Sequence, residues 1–311
     1  MTRGPIFTGG TGRSGTTVLS RLLDCHPDIV AIVPTEVRFL TDPGGLIDLL
    51  AAARLTARPR LVDRLLRRPP LPVPDPTPEA FAARLRSHWY EWTGNDGGVR
   101  GLSRGGLPFS VIETALEAFE ERVRADPLKA CRRLADEILT TLAHGRRRWV
   151  ETTPPNVFKA GGLLDLFPDM HLLHVVRDGR DTAASVVTRT WGPNNIFRAL
   201  DWWAERIQRA YAAIEGLPES HVLTVRLEDL VVRDRDATYE RIRKAVELDP
   251  QPAMRTFFDD EMTPDNGHFG RWRDQVADAD VDRFVDRYRM HLEALRERFG
   301  QVPPTEDLEL G

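Results

Sequence analysis

Residues 5–23 read PIFTGGTGRSGTTVLSRLL, and this stretch decides the fold. Its first four residues are typical of a short buried strand, and Val18, Leu19, Leu22 and Leu23 recur at the spacing of an amphipathic helix. Between them lies a turn with four glycines. Because a strand, a glycine turn and a helix open a parallel α/β unit, we predict an α/β protein.

The turn has the frame of a phosphate-binding loop. Gly10 and Gly15 are separated by four residues and followed by two threonines. Glycines let consecutive backbone N–H groups face one anion, and the positive end of the following helix faces it too. Thr16 stands where a nucleotide-triphosphate loop has lysine, and the cation comes earlier, as Arg13. The loop therefore suits a phosphate-like group, although a turn that merely starts a helix is the alternative.

The rest of the chain continues the α/β pattern. The apolar segments 29–33, 148–151, 171–176 and 222–225 predict strands, and the segments 134–143, 157–167, 181–190, 201–216, 237–247 and 281–299 predict helices. Strands that alternate with helices favour a doubly wound parallel sheet. We predict one α/β domain over residues 1–311.

Residues 42–130 interrupt this pattern. We predict helices at 46–55, 60–67 and 81–92, a proline-dense linker at 69–78 and a turn at 95–98, with little strand signal. The segment is interpreted as a helical insertion that forms the acceptor pocket. Its aromatic cluster, Trp89, Tyr90 and Trp92, is expected to serve packing, with contact to the acceptor as the alternative.

Two further segments carry polar side chains at the ends of predicted strands. Arg177 follows the strand at 171–176, and Ser185 lies about two helical turns later, so both can meet an anion. A salt bridge from Arg177 to a neighbouring aspartate is the alternative. Glu36 and Arg38 follow the second predicted strand, where a carboxylate can act as a general base; the alternative is an ion pair between them. The rival bases His26, His171 and His174 are expected to have packing or solvent roles.

Composition excludes several classes of protein. The chain has 43 Lys plus Arg and 47 Asp plus Glu, a formal charge of −4, which argues against a polyanion-binding tail and predicts no nucleic-acid partner. No apolar run approaches the roughly 18 to 20 residues of a membrane span. Two cysteines, Cys25 and Cys131, are too few for a disulfide scaffold, so we expect a cytoplasmic protein. Lysine occurs only at 129, 159 and 244, so an N-terminal anion site must use arginine and amides.

These motifs together resemble the sulfotransferases that use 3′-phosphoadenosine 5′-phosphosulfate (PAPS), and among them the tyrosylprotein and bacterial branch. The resemblance is carried by residues 12–17, 22–27 and 176–185 and by the segment 267–272. It implies a three-layer fold like that of P-loop nucleoside kinases. It also implies a 5′-phosphosulfate site at Arg13, Ser14, Gly15, Thr16 and Thr17 and a 3′-phosphate site at Arg177, Ser185, Arg189 and Arg271.

The resemblance further implies that Glu36 is the catalytic base, that Arg13 stabilises the leaving group and that Arg38 contacts the acceptor. PAPS would be the co-substrate and 3′-phosphoadenosine 5′-phosphate (PAP) the product, with no metal. Three positions depart from the family pattern: Thr152 stands in place of a lysine, Gly270 in place of a serine and Leu227 in place of a tyrosine.

We therefore expect sulfuryl transfer from PAPS to a hydroxyl of an acceptor. A small molecule is favoured, and tyrosyl and sugar hydroxyls stay open. The alternatives are a P-loop kinase or ATPase, which the absent loop lysine disfavours, and a scaffold that binds PAPS or PAP without transfer. The sequence carries no signal for oligomeric state.

Overall fold

A computed structural model of the chain describes residues 4–56, 76–94, 97–146 and 148–300. The first α/β unit consists of β1 (Ile6–Gly10), α1 (Thr16–Asp24) and β2 (Val30–Ala31). The middle of the chain contains α2 (Leu46–Thr56), α3 (Pro78–Arg84), β3 (Trp92–Thr93), β4 (Val99–Arg100), α4 (Phe109–Arg122) and α5 (Pro127–Leu142). The remainder contains β5 (Trp149–Glu151), α6 (Ala160–Leu166), β6 (His171–Val176), α7 (Gly179–Val186), α8 (Ile196–Ile214), β7 (Val222–Arg226), α9 (Arg235–Ala245), α10 (Pro252–Glu261), α11 (Pro264–Gly267) and α12 (Val281–Phe299).

The central sheet has five parallel strands in the order β2-β5-β1-β6-β7. Strand β1 lies in the middle, with Phe7 opposite Glu151 of β5 and Leu172 of β6. Because all five strands are parallel, their carboxyl ends share one edge of the sheet. Ligands of open α/β sheets bind at that edge, beside the strand where the strand order reverses.

Two apolar cores cover the faces of the sheet. Successive strand residues point to opposite faces, so Ile6 joins one core and its neighbour Phe7 the other. The first core includes α1, α9 and α10, and the second includes α4, α5 and α6. The molecule therefore has helix, sheet and helix layers, and the predicted three-layer α/β fold is confirmed.

The segment 42–130 is mainly helical where it is described, but it also contains a hairpin. Strands β3 and β4 pair antiparallel, with Trp92 opposite Arg100. The predicted helix 81–92 is wrong at its end: α3 stops at Arg84, a π-helical turn covers Leu85–Trp89, and Trp92 lies in β3. The predicted helix 60–67 lies outside the described residues, as do most of the linker 69–78 and the middle of the turn 95–98.

Other boundaries also differ. The predicted strand 29–33 is reduced to Val30–Ala31, because beyond Ile32 the backbone leaves the sheet and bonds to residues 151–153 instead. The predicted helix 157–167 begins with a 3₁₀ turn at Pro154–Lys159. The predicted helix 181–190 ends at Val186. Within the described ranges, no helix combines the length and the apolarity needed to cross a membrane.

Candidate active site

The loop after β1 has the backbone of an anion cradle. Gly12, Arg13 and Gly15 have φ angles of 92°, 58° and 100°, which turn the chain sharply before α1 begins at Thr16. Glycine adopts such angles without strain, whereas Arg13 does so at a cost. Ser14 is buried, and its Oγ has no hydrogen-bond partner among the described residues. A buried hydroxyl without a partner is costly, so this loop has capacity to bind a ligand.

The Arg13 side chain turns toward α7. Its Nε donates to Ser185 Oγ at 3.0 Å. Burial lowers the pKa of Arg13, and the charges of Arg189 and Arg177 lower it further. Three arginines therefore converge here, and an anion between them would relieve their repulsion. The two anion sites predicted from the sequence are contiguous, with Arg13 between them.

Arg177 crosses from the end of β6 to the C-terminal part of the chain. Its guanidinium donates to the carbonyls of Arg13 (3.4 Å), Gly267 (3.1 Å) and His268 (2.8 Å). It is buried, and its Nε has no partner among the described residues. The alternative salt bridge is not observed, because Asp178 pairs with Arg180 at 2.7 Å. Arg177 therefore forms no ion pair with Asp178, although its charge also acts on the buried carboxylates of Asp181 and Glu228.

The loop that follows α11 is attached to α7 by a buried acid. Asp181 accepts from the N–H groups of Gly270 (2.9 Å) and Trp272 (3.3 Å). Arg271, which is predicted to bind the 3′-phosphate, donates from Nη2 to His268 Nδ1 at 2.8 Å. Arg271 is exposed and is not part of the cavity wall, whereas His268 lines it, so the 3′-phosphate role of Arg271 stays a prediction.

Glu36 and Arg38 lie at the end of the segment after β2. The nearby protein desolvates the Glu36 carboxylate and raises its pKa, which Arg38 partly opposes, although the side chain stays accessible to solvent. Arg38 pairs with Asp42 at 3.1 Å, so the alternative Glu36–Arg38 ion pair is not formed. A carboxylate with a raised pKa in a cavity is a candidate general base.

One cavity of about 1000 Å³ connects these groups. Its wall includes the loop after β1, Glu36, Arg38, Arg177 and residues 261–268. Of the predicted site residues, Arg13, Gly15, Thr16 and Thr17 also line it, whereas Ser14, Ser185, Arg189 and Arg271 do not. Ser185 and Arg189 are instead linked to the site through Arg13, by the hydrogen bond and by charge repulsion.

Comparison with known sequences identifies the family of this chain. The profile of the sulfotransferase family matches residues 5–252. The chain belongs to the sulfotransferase family. It is 23% identical over 311 residues to protein-tyrosine sulfotransferase A of Caenorhabditis elegans, covering 96% of this chain and 62% of that protein. It is 22% identical over 305 residues to protein-tyrosine sulfotransferase of Drosophila melanogaster, covering 96% of this chain and 47% of that protein. The chain thus spans about half to three fifths of the length of these relatives.

A solved structure is also similar to this chain. The sulfotransferase domain from the olefin synthase of Synechococcus PCC 7002 matches with a TM-score of 0.48 and 18% identity, covering 97% of each chain.

Sequence reasoning missed the wall that faces Gly12. Trp202 and Arg206 of α8 line the cavity, and the Arg206 guanidinium lies over the rings of Trp202 (4.6 Å) and Phe158 (4.7 Å). Arg206 Nε donates to Thr11 O at 2.6 Å, and burial lowers the pKa of Arg206 to about 10. Arg206 lies in a helix 195 positions after Thr11 and belongs to no sequence motif, so the sequence alone did not indicate its place in the cavity wall.

Trp92 also lines this cavity, although packing is the role that the sequence favours for it. Its neighbours Trp89 and Tyr90 do pack: Trp89 is buried against Phe81, and Tyr90 is half-buried and donates to Leu107 O at 3.2 Å. The difference follows from the hairpin, which turns Trp92 away from the core.

The rival histidines lie away from the cavity wall. His26 and His174 are buried, and burial lowers the pKa of His174 to about 4. His171 is half-buried at the amino end of β6, the edge opposite the site. His26, His171 and His174 are therefore disfavoured as bases.

The positions that depart from the family pattern have local roles. Thr152 is buried and its Oγ1 donates to Thr35 O at 2.9 Å, so it does not face the cavity. Leu227 packs on Gly15, where an added Cβ would lie 2.9 Å from Leu227 Cδ1. Gly270 has a φ of 75°, which a serine would adopt only with strain. Among the described residues, no group of three or more His, Cys, Asp or Glu side chains could hold a metal ion.

Proposed function

We propose that this chain transfers a sulfuryl group from PAPS to the hydroxyl of a small aromatic acceptor. The observation that carries the proposal is the single cavity that joins Arg13, Arg177 and Glu36. PAPS has a phosphosulfate at one end and a phosphate at the other, so it needs two anion-binding groups. The loop after β1 and Arg177 supply them, and within the described part of the chain the buried atoms Ser14 Oγ and Arg177 Nε have no hydrogen-bond partner.

The reaction moves one group between two oxygens. The acceptor hydroxyl gives its proton to the Glu36 carboxylate while its oxygen forms a bond to sulfur. The bond from sulfur to the 5′-phosphate oxygen breaks, and PAP leaves with that electron pair. Arg13 and the N–H groups of the loop stabilise the charge that develops on the departing oxygen. The proposed reaction uses no metal, and activity that survives EDTA would agree with this.

Aromatic residues support an aromatic acceptor. Trp92, Trp191 and Trp202 line the cavity, together with Pro154 and Pro155. The rings of Trp191 and Trp202 lie 6.0 Å apart, and Arg100 lies over Trp92 while its charge also acts on Glu36. Trp92 is thus close to the proposed base. Flat apolar surfaces bind flat apolar molecules, and the few polar groups fix their orientation.

The described geometry also bears on the alternatives. Thr16 lines the cavity at the position where an ATP-binding loop has lysine, and none of the three lysines of the chain is on the cavity wall. This disfavours a kinase or ATPase. A binding scaffold without turnover would not need a carboxylate on the same wall as the arginines. A cytoplasmic location stays our proposal; Cys25 and Cys131 are both free thiols.

The experiment is a turnover assay with PAPS and a panel of phenols, aliphatic alcohols and tyrosine peptides, in which PAP release is measured. We expect PAP release that depends on a phenol, and a loss of about 100-fold or more in Glu36→Gln. Titration calorimetry must show that Glu36→Gln still binds PAP. Binding of PAP without turnover on any acceptor would favour the scaffold, and full activity of Glu36→Gln would remove Glu36 from the mechanism.

A further inference from the structure

A buried carboxylate lies behind the proposed base. Glu151 ends β5 and is 1% exposed, and neither of its oxygens faces the cavity wall. Its Oε1 accepts from the N–H groups of Val37 (3.0 Å) and Thr153 (3.0 Å) and from the Thr153 hydroxyl. Its Oε2 accepts from Asn156 Nδ2 at 2.6 Å. Four donors among the described residues thus hold the carboxylate, and burial raises its pKa.

These bonds hold the backbone on both sides of Glu36. The peptide group before Glu36 is fixed through Thr35 O, which accepts from the N–H (3.2 Å) and the hydroxyl (2.9 Å) of Thr152. The peptide group after Glu36 is fixed through Val37 N–H, which donates to Glu151. The next N–H, that of Arg38, donates to Thr153 Oγ1 at 3.4 Å. Side chains of residues 151–153 thus replace the sheet pairing that ends at β2.

The same cluster is tied to the strand that leads into the loop. Glu151 is in register with Phe7 of β1, and Asn156 Nδ2 donates to Thr8 O at 3.0 Å as well as to Glu151. Strand β1 ends at Gly10, where the anion-binding loop starts. Hydrogen bonds through Glu151 and Asn156 therefore connect the peptide group after Glu36 to the strand that leads into the loop with Arg13.

We infer that Glu151 is a positioning residue, which holds the peptide group after Glu36 and so sets the base at a fixed place relative to the loop. The inference rests on the proposed function, in which Glu36 takes the acceptor proton. It also explains why a carboxylate is buried here: its acceptor-only oxygens match four donors, whereas the amide of a glutamine would present N–H to one of them. Displacement of a reacting group by about 1 Å can cost about 100-fold in rate.

The test compares Glu151→Gln with Glu228→Gln. Glu228 is also a buried glutamate that accepts a backbone N–H, that of Asp178, at 2.8 Å, but it is not bonded to residues 35–38. We expect Glu151→Gln to lower kcat about 10- to 100-fold, with the KM for PAPS and the affinity for PAP within about twofold. Glu228→Gln should leave kcat within about twofold.

A double-mutant cycle with Glu36→Gln separates positioning from general structural damage. If Glu151 acts through Glu36, its substitution should have no further effect once Glu36 is glutamine. An additive loss in the double variant would overturn the inference. If Glu36→Gln alone proves fully active, the proposed base is wrong, and the hydrogen-bond role of Glu151 is then judged by exchange alone.

Hydrogen exchange supplies that readout, because it needs no turnover. The amide of Val37 should exchange at least about tenfold faster in Glu151→Met, which removes the Oε1 acceptor that a glutamine can keep, than in the wild-type protein, and at the wild-type rate in Glu228→Gln. Unchanged exchange at Val37 would overturn the inference. Should neither Glu151 variant fold, Thr153→Val removes the hydroxyl that donates to Glu151 and accepts from Arg38 N–H while keeping side-chain shape. It should lower kcat by a smaller factor and speed exchange of the Arg38 amide, and no change in either would overturn the inference.

Discussion

Replacement of Arg177 by methionine tests the nucleotide site most directly. The guanidinium is buried and donates three hydrogen bonds to backbone carbonyls. Its Nε has no partner in the part of the chain that the structure describes. If it binds the 3′-phosphate, each charge-assisted bond to that group stabilises the complex by about 1.5 to 3 kcal/mol. Since about 1.4 kcal/mol corresponds to tenfold in affinity, Arg177→Met should bind PAP about 10- to 100-fold more weakly.

The assay is titration calorimetry with two nucleotides, PAP and adenosine 5′-phosphate, which lacks the 3′-phosphate. The wild-type protein should prefer PAP, and Arg177→Met should lose that preference while its affinity for adenosine 5′-phosphate changes little. Arg273→Met is the matched control, because Arg273 is exposed in the same part of the chain and outside the cavity wall. Equal losses for both nucleotides would refute the phosphate contact and leave Arg177 as a tether for the carbonyls of Gly267 and His268.

Three further predictions concern pH and backbone strain. If Glu36 is the base, kcat/KM should rise with pH as Glu36 loses its proton, at a pKa above the usual glutamate range. In Arg38→Met this rise should shift to higher pH, because Arg38 lowers the pKa of Glu36. A rise at the same pH in both proteins would contradict the assignment. Burial raises the pKa of Glu228 to about 7, so the folded protein should lose stability as pH rises from about 4.5 to about 7 and no further above it. In Glu228→Gln the free energy of unfolding, measured with denaturant, should fall less between pH 5 and pH 8 than in the wild-type protein, by at most about 3 kcal/mol. An unchanged fall would exclude Glu228 as its source. Gly15→Ala should lower the free energy of unfolding by about 1 to 2 kcal/mol and weaken PAP binding. Gly106 is the control, because it has a φ of 75° and no atom lies near an added Cβ, so Gly106→Ala should lower stability alone. Equal PAP affinity in both variants would show that the loop tolerates the change.

The parts of the site that are local in sequence could be predicted from it. The loop after β1 depends on glycines a few residues apart, and Arg177 follows an apolar run directly, so both positions could be inferred from neighbouring residues. Glu36 could be placed at the sheet edge because a strand precedes it. The short strand β2 could not be foreseen, since its early end depends on hydrogen bonds to residues 151–153, more than 100 positions later.

The parts built by distant contacts were missed or misplaced. Trp92 was assigned to a helix, but its pairing with Arg100 turns it toward the cavity. Arg206 belongs to an ordinary amphipathic helix, and its relevance comes from Thr11 O and two rings that meet only in the folded protein. Arg271 is exposed and bonds to His268 of the cavity wall, a contact made beside the turn at His268, whose φ of 54° the sequence does not reveal.

The absence of lysine from the cavity wall has a practical consequence. Lys129 and Lys244 are exposed, and Lys159 pairs with Asp48 on the flank of α2. Reagents that couple to primary amines can therefore attach a fluorophore or a biosensor surface without touching the arginines of the site. Phenylglyoxal, which modifies guanidinium groups, should by contrast abolish nucleotide capture, and prior saturation with PAP should shield against it.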